Sequence, residues 1–187
     1  VDAVGVVFIG DGGTSTGDFH EGVNFAAVFK VPVIVVIENN HYAYSTPTSV
    51  QYRCEKLSDR AIGYGIEGYN ADGNDAVGLL MHARDIVEDI RKNPRAILLE
   101  CDTMRMRGHG EHDDFSYIPR ELLDAYVKKD PILVATNRLI AEDLVSRADL
   151  DALDAEVQAE VDAAYQKAMG EPPPEPGSMA EGVYAHD

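Results

Sequence analysis

The first hundred residues alternate between short apolar runs and segments with helical periodicity. Residues 4–9 and 33–37 are continuous apolar runs rich in β-branched side chains, 96–100 is an apolar run that ends in Glu100, and 65–69 is a further candidate strand. Such runs are typical of parallel strands that are buried on both faces. Apolar residues recur at helical spacing between 14 and 30, so this helix and its flanking strands predict a right-handed βαβ unit.

A second amphipathic helix precedes the last of these strands. We expect Asn74 to cap its N-terminus and the helix to end near Lys92, ahead of a proline. The residues expected on its inward face are Val77, Leu80, Met81, Ile86 and Ile90. Residues 103–119 are polar and lack periodicity, and a loop of this length inside a compact domain is usually functional.

Helical patterns resume at Arg120 and continue to about residue 170, where a proline-rich segment begins. The predicted fold class is therefore α/β, with a mostly parallel sheet and C-terminal helices. The predicted domains are a ligand-binding α/β domain at 1–119, a helical extension at 120–170 and a flexible tail at 171–187.

Composition excludes several classes of partner. The 187 residues carry a formal net charge of −17, which argues against nucleic acid, and no apolar run approaches the roughly 20 residues of a membrane span. The two cysteines do not form a disulfide framework, so we expect a reducing, cytoplasmic location. The chain lacks an initial Met and enters a strand almost at once, so we also expect a longer natural protein.

Two polar stretches follow the first two predicted strands, at the sheet edge where open α/β folds bind ligands. GDGGTSTG leads from a strand into a helix, so Gly12 and Gly13 can bring backbone N–H groups close to a phosphate. Asp11 is an anion at that position, which makes sense if a cation lies between it and the phosphate. Mg²⁺ prefers oxygen ligands, and Asn40 offers an amide oxygen at the end of the adjacent strand.

Two other interpretations of this pattern are open from the residues alone. In a dinucleotide-binding turn Ser15 would replace the third glycine, and Glu38 lies 28 residues after Gly10 instead of the usual spacing of about 20. The pattern is not a P-loop, since no Gly-Lys-Ser/Thr follows. The second interpretation is an ordinary strand–turn–helix connection with a polar turn.

GDG followed after a spacer by NN resembles the thiamine-diphosphate motif. The flanks, GDGGTSTGDFHEGVNFAAVFKVPVIVVIENNHYAYSTPTSVQ, resemble the alpha subunit of the 2-oxo acid dehydrogenases' decarboxylating first component, from about Val4 to Ala168. The resemblance implies a three-layer thiamine-diphosphate-binding fold for 1–119 and further cofactor contacts upstream. It also implies that Asp11, Asn40 and the backbone carbonyl of Tyr42 hold Mg²⁺.

The same resemblance implies that Gly12 and Gly13 lie against the diphosphate. RMRGHG is similar to the family's mobile active-site loop, which implies that Arg105 contacts phosphate and that His109 is catalytic and assists acyl transfer to lipoamide. Without the resemblance His109 could equally be an exposed loop histidine, and its pairing with His112 is weak support for zinc. Asp113 and its neighbour Asp114 either brace this loop or are solvated charges.

The resemblance implies oxidative decarboxylation of a 2-oxo acid, with pyruvate favoured and acetoin or a branched-chain 2-oxo acid as alternatives. The implied partners are a beta subunit, in a heterotetramer of two alpha and two beta chains, and the lipoyl domain of an acyltransferase core. We expect a bacterial-type cytoplasmic enzyme that is inactive without its beta subunit. The contrasting hypothesis is a non-catalytic scaffold subunit that retains the fold.

Overall fold

The computed structural model describes residues 2–182 and contains a four-stranded parallel sheet. In chain order the strands and α-helices are β1 (Gly5–Gly10), α1 (Gly17–Val28), β2 (Val33–Asn39), β3 (Tyr42–Ala43), β4 (Thr46–Pro47), α2 (Ala61–Tyr64), β5 (Glu67–Asp72), α3 (Ala76–Lys92), β6 (Ala96–Asp102), α4 (Arg120–Val127), α5 (Pro131–Ala141) and α6 (Arg147–Gly170). Short 3₁₀ helices occupy Gly12–Ser15, Thr48–Val50, Leu57–Arg60 and Pro176–Ala180. The predicted α/β class is confirmed.

The sheet has the order β1-β2-β6-β5, and every pair in it is parallel. Alternate residues of β2 point to opposite faces, as strand geometry requires. On one face Val35 and Ile37 pack with residues of α1 and α2, and on the other Ile34 and Val36 pack against α3. The sheet is therefore the middle of three layers.

The prediction that the first strand is buried on both faces is wrong for the described chain. Val6, Val7 and Phe8 of β1 are 52%, 47% and 64% exposed. The physical reason is position: β1 pairs only with β2 and is the edge strand, so no described strand lies on its other side.

Two predictions about α3 are also wrong. Asp75, and not Asn74, caps the helix, because the Asp75 side chain accepts a hydrogen bond from the backbone N–H of Gly78. Ile86 and Ile90 are buried as expected, but Leu80 and Met81 are exposed. Leu79 and Val87 pack beside Ile86 and Ile90 instead, so the inward face of α3 is turned away from Leu80 and Met81.

The C-terminal helices form where the periodicity places them, and 103–119 contains no strand or helix. The chain divides into two compact units, Val1–Arg138 and Leu139–Asp187. The predicted tail at 171–187 includes the 3₁₀ helix Pro176–Ala180, and its last five residues lie outside the described part. No helix within 2–182 has both the length and the apolar character needed to cross a membrane.

Candidate functional site

Asp11 is the first residue beyond β1, at the carboxyl end of the sheet. Its backbone N–H donates to the carbonyl of Glu38 at 3.3 Å, which ties the end of β1 to β2. Its own carbonyl accepts hydrogen bonds from the backbone N–H of Thr14 at 3.2 Å and from the Thr14 hydroxyl at 2.6 Å. The turn is thereby closed on itself, and Asp11 is only 2% exposed.

The glycines after Asp11 are required by packing inside the protein. A Cβ on Gly12 would lie 2.5 Å from the Cβ of Ala43, and one on Gly13 would lie 2.8 Å from Cγ1 of Ile9. The turn therefore packs closely against the β3–β4 hairpin on one side and against β1 on the other. Their contact with a diphosphate stays a prediction.

Asn40 follows the last residue of β2, and its side chain is held locally. Its Oδ1 accepts a hydrogen bond of 3.1 Å from the backbone N–H of Tyr42, and His41 between them adopts a left-handed conformation with φ of 69°. This Asx turn leads the chain into β3. Because Gly10 pairs with Glu38 in parallel register, Asp11 and Asn40 lie at the same edge of the sheet.

The side chain of Gln51 contacts Asp11, a relationship that the sequence did not indicate. Its Nε2 donates to Oδ2 of Asp11 at 3.1 Å and to the carbonyl of Thr46 at 2.8 Å. Within residues 2–182, no Lys, Arg or His forms a salt bridge with Asp11. A buried carboxylate without a cationic partner is unfavourable, so the donor set fits a bound metal ion.

The fit rests on a mixed set of oxygen donors. No group of three or more His, Cys, Asp or Glu side chains in the described part of the chain could hold a metal ion. The predicted ligands instead comprise one carboxylate, one amide oxygen and the backbone carbonyl of Tyr42. That composition suits Mg²⁺, which is usually bound through one or two carboxylates together with phosphate and water oxygens.

Arg105 organises the loop between β6 and α4. Its Nη1 donates to Nδ1 of His109 at 2.8 Å, and its Nη2 donates to the carbonyl of Tyr44 at 2.9 Å and the hydroxyl of Tyr117 at 2.5 Å. A guanidinium group can only donate, so Nδ1 of His109 accepts and the ring proton is on Nε2. Nε of Arg105 is buried and has no hydrogen-bond partner among the described residues, which leaves one donor for an anion.

Asp113 braces this loop through hydrogen bonds and is not merely a solvated charge, the two possibilities that the sequence left open. Its Oδ2 accepts from the backbone N–H of His109 at 2.7 Å and from the hydroxyl of Tyr117 at 2.6 Å, and its Oδ1 accepts from the backbone N–H of Phe115 at 3.0 Å. The bond from Tyr117, followed by that from His109, lowers the pKa of Asp113 to about 2. Asp114 makes a local bond to the backbone N–H of Ser116.

The loop and the β3–β4 hairpin meet at Tyr44. Its ring packs edge-on against the ring of His109, with centroids 5.1 Å apart, and its carbonyl accepts from Arg105. Tyr42, two residues earlier, lies beside Tyr117 with ring centroids 5.9 Å apart. The structure therefore brings Arg105 and His109 to the hairpin that carries the predicted metal ligand Tyr42.

The buried carboxylate of Glu100 fixes the end of β2 through a hydrogen bond with Asn39. Glu100 of β6 is 2% exposed, and its Oε1 accepts from Nδ2 of Asn39 at 2.7 Å. Its Oε2 accepts from the backbone N–H of Ser58 at 2.9 Å and from the Ser58 hydroxyl at 3.0 Å. Asn39 in turn accepts from the backbone N–H of His41 at 3.1 Å, so Glu100 acts on the turn that contains Asn40.

His41 connects this turn to β6 and α4. Its Nε2 lies 3.3 Å from Oδ2 of Asp102 and 3.2 Å from the hydroxyl of Tyr126. The hydrogen bond that His41 donates to Asp102 raises the pKa of His41, and the same contact lowers the pKa of Asp102. The sequence did not predict this cluster of His41, Asp102 and Tyr126, because no local pattern indicates that Asp102 and Tyr126 lie close together.

The fold and site define an α/β protein whose strand tips present oxygen donors suited to a metal ion and a glycine turn suited to an anion. The profile of the dehydrogenase E1 component family matches residues 1–177. The chain therefore belongs to the dehydrogenase E1 component family, and the resemblance noted from the sequence is confirmed.

Several relatives are similar over most of this chain. The 2-oxoisovalerate dehydrogenase subunit alpha of Bacillus subtilis is 38% identical over 98% of this chain and 56% of its own length. The alpha subunit of acetoin:2,6-dichlorophenolindophenol oxidoreductase from Cupriavidus necator is 37% identical over 97% of this chain and 55% of its own. The pyruvate dehydrogenase E1 component subunit alpha of Acholeplasma laidlawii is 37% identical over 85% of this chain and 47% of its own length. The chain thus spans about half the length of these relatives.

Proposed function

We propose that this chain is the cofactor-anchoring part of an alpha subunit in a thiamine-diphosphate-dependent 2-oxo acid dehydrogenase, an oxidoreductase. The observation that carries the proposal is the buried Asp11 carboxylate, which faces no cationic side chain in the described residues and lies beside the turn of Gly12 and Gly13. Membership of the dehydrogenase E1 component family supports the same conclusion.

In this proposal the strand tips hold the metal and the diphosphate. Asp11 and Asn40 bind Mg²⁺ through side-chain oxygens, and Tyr42 binds it through its backbone carbonyl. The backbone of Gly12 and Gly13 lies against the diphosphate, where N–H groups favour an anion. When bound, thiamine diphosphate supplies an electron sink for decarboxylation, and the protein supplies anchoring and orientation.

Arg105 and His109 perform the remaining roles of this chain. The unpartnered Nε donor of Arg105 supports its assignment to phosphate, because a buried donor is stabilised by an anionic acceptor. With Nδ1 occupied by Arg105, Nε2 of His109 holds the proton and presents it to the reacting acyl group. We propose that this proton assists acyl transfer to a lipoyl group.

The complete activity requires partners. We propose that a beta subunit joins this chain in an assembly of two alpha and two beta chains, and the relatives' names as alpha subunits support this partner. We also propose that the lipoyl domain of an acyltransferase core is a partner. The free thiols of Cys54 and Cys101 support a reducing, cytoplasmic location. A net charge of −17 is unsuited to nucleic acid.

Pyruvate is the proposed substrate, and the loop sequence MRMRGHGEHDD favours pyruvate or acetoin over a branched-chain 2-oxo acid. Relatives named for 2-oxoisovalerate, acetoin and pyruvate are 38%, 37% and 37% identical, so overall identity does not separate these three compounds. The measurement that ranks them is kcat/KM of the full-length alpha–beta complex for each compound, with a lipoyl acceptor. A higher value for acetoin or for 2-oxoisovalerate would overturn the pyruvate assignment.

Cofactor binding tests the proposal directly. In the full-length complex, calorimetric titration with thiamine diphosphate should give binding that depends on Mg²⁺. Asn40→Ala should abolish it, since one metal ligand is lost, whereas Asn137→Ala on the exposed face of α5 should leave it unchanged. Absence of magnesium-dependent binding in the wild type would favour the non-catalytic scaffold, and wild-type affinity in Asn40→Ala would contradict the metal assignment.

A further inference from the structure

The Gln51 side chain is fixed in one orientation beside the Asp11 carboxylate. Both partners of its Nε2, Oδ2 of Asp11 and the carbonyl of Thr46, are acceptors, so only the NH₂ group of the amide can face them. The two contacts use both N–H donors of that group. The backbone N–H of Gln51 also donates to the carbonyl of Thr48 at 3.0 Å, so main chain and side chain are both anchored.

This contact determines which oxygen of Asp11 is available. A carboxylate rotates readily about its terminal torsion, and two free oxygens could exchange places or bind one ion together. Gln51 occupies Oδ2 at 3.1 Å, and the carboxylate is 2% exposed, so water offers it few competing partners. Oδ1 is then the oxygen left for a metal ion.

The number of free oxygens matters because two common divalent ions differ in their demands. Mg²⁺ requires a nearly octahedral shell at about 2.0–2.1 Å, to which a carboxylate contributes one oxygen. Ca²⁺ accepts about 6–8 oxygens and readily takes both oxygens of a carboxylate. A carboxylate held at one oxygen therefore suits the smaller ion.

We propose that Gln51 is a positioning residue that makes the site selective for Mg²⁺ over Ca²⁺, by holding Oδ2 of Asp11 so that the carboxylate binds the ion through one oxygen. This inference rests on the proposed metal site. It also explains why Gln51 contacts Thr46: the same amide fastens the β3–β4 hairpin, and with it Tyr42, to the carboxylate.

The test compares metal preference in the full-length alpha–beta complex. Gln51→Leu retains most of the side-chain volume and removes the donor, and Gln51→Glu retains the shape but sets an acceptor against the carboxylate. Gln158→Leu is the matched control, because Gln158 is exposed on α6 and its side chain donates to Asp162, far along the chain from Asp11. Each protein is titrated with Mg²⁺ and with Ca²⁺ at saturating thiamine diphosphate, and the ratio of the two Kd values is determined.

We expect Gln51→Leu to weaken Mg²⁺ binding about 10- to 100-fold, as is typical when a residue that orients a metal ligand is removed. Ca²⁺ binding should weaken less, so that the Kd ratio shifts toward Ca²⁺ by about tenfold or more. Gln51→Glu should shift it in the same direction and Gln158→Leu should not shift it. Equal losses for both ions, or an unchanged ratio, would overturn the inference.

A measurement on the wild type keeps the inference testable if both Gln51 variants unfold. Infrared difference spectra between the magnesium-loaded and the metal-free complex, with and without isotopic labelling of aspartate, isolate the aspartate that the ion binds and separate one-oxygen from two-oxygen binding by the spacing of its stretching bands. We expect the one-oxygen pattern, and a two-oxygen pattern for Asp11 would refute the role of Gln51. A wild type that binds thiamine diphosphate without any metal dependence would refute the proposed function instead.

Discussion

The hydroxyl of Tyr126, on helix α4, donates a hydrogen bond of 2.9 Å to Oδ1 of Asp102 at the end of strand β6. His41 lies within 3.3 Å of both side chains, so the turn after β2 is linked to a helix that lies beyond the 103–119 loop. Burial and the contact with Asp102 raise the pKa of Tyr126 to about 12, so the phenol remains a donor at neutral pH.

Tyr126→Phe removes this donor without removing the ring. We expect the free energy of unfolding of the full-length chain to fall by about 1 kcal/mol, since the bond joins a hydroxyl to a carboxylate that is partly exposed. Urea unfolding followed by circular dichroism measures the change. Tyr165→Phe is the control, because Tyr165 is exposed on α6, and an equal loss in both variants would contradict the structural role of Tyr126.

Glu100→Gln should destabilise the protein, although it only replaces one carboxylate oxygen by an NH₂ group and keeps the shape of the side chain. The amide oxygen still accepts from Asn39, but the amide nitrogen then faces the backbone N–H of Ser58, and two donors meet. Leaving a buried donor unsatisfied costs about 1–3 kcal/mol, which denaturant unfolding resolves. Glu160→Gln on exposed α6 should change stability by less than about 0.5 kcal/mol, and a similarly small effect at Glu100 would refute the network.

Adding a methyl group at Gly12 should be unfavourable, and adding one at Gly22 should be favourable. At Gly12 the new Cβ would overlap Ala43, and overpacking of this kind costs about 1–3 kcal/mol. At Gly22, inside α1, it would meet nothing within 4 Å, so Gly22→Ala should stabilise the helix by about 0.5–1 kcal/mol. Thermal melting of the pair tests this contrast, and equal melting temperatures would contradict the packing.

The brace made by Asp113 predicts acid sensitivity of the 103–119 loop. The folded pKa of Asp113 is lowered to about 2, and an unfolded aspartate titrates near about 3.9. Because the folded value is the lower one, the stabilisation is complete above the unfolded pKa and is lost as pH falls toward 2. Pepsin, which is active in acid, should therefore cut this loop increasingly between pH 4 and 2, ahead of sites elsewhere.

Asp113→Asn is the matched variant for this experiment. An amide cannot supply the charge that holds Tyr117 and the N–H of His109, so the loop should be cut readily across the whole interval. Asp124→Asn, at an exposed position of α4, should behave as the wild type does. Identical pH profiles for the wild type and Asp113→Asn would show that another group controls the loop.

The sequence alone determined the features that depend on neighbours along the chain. Continuous β-branched runs predicted the strands, and helical periodicity predicted α3, α4 and α6, because backbone conformation responds mainly to local side-chain pattern. The placement of Asp11 and Asn40 at one edge followed from parallel strands joined by a helix. Even so, local pattern misassigned the cap of α3, since Asn74 and Asp75 are equally suitable in composition and only the backbone path chooses between them.

The tertiary structure decided which distant side chains meet. Gln51 reaches Asp11 across 40 residues, Glu100 reaches Asn39 across 61, and Tyr126 reaches His41 across 85. Each contact depends on the path of a loop and on the register of neighbouring strands, which a single sequence leaves open. The burial of β1 was also predicted wrongly, because it depends on strand order. An apolar run favours a buried strand, but β1 lies at the edge of the described sheet.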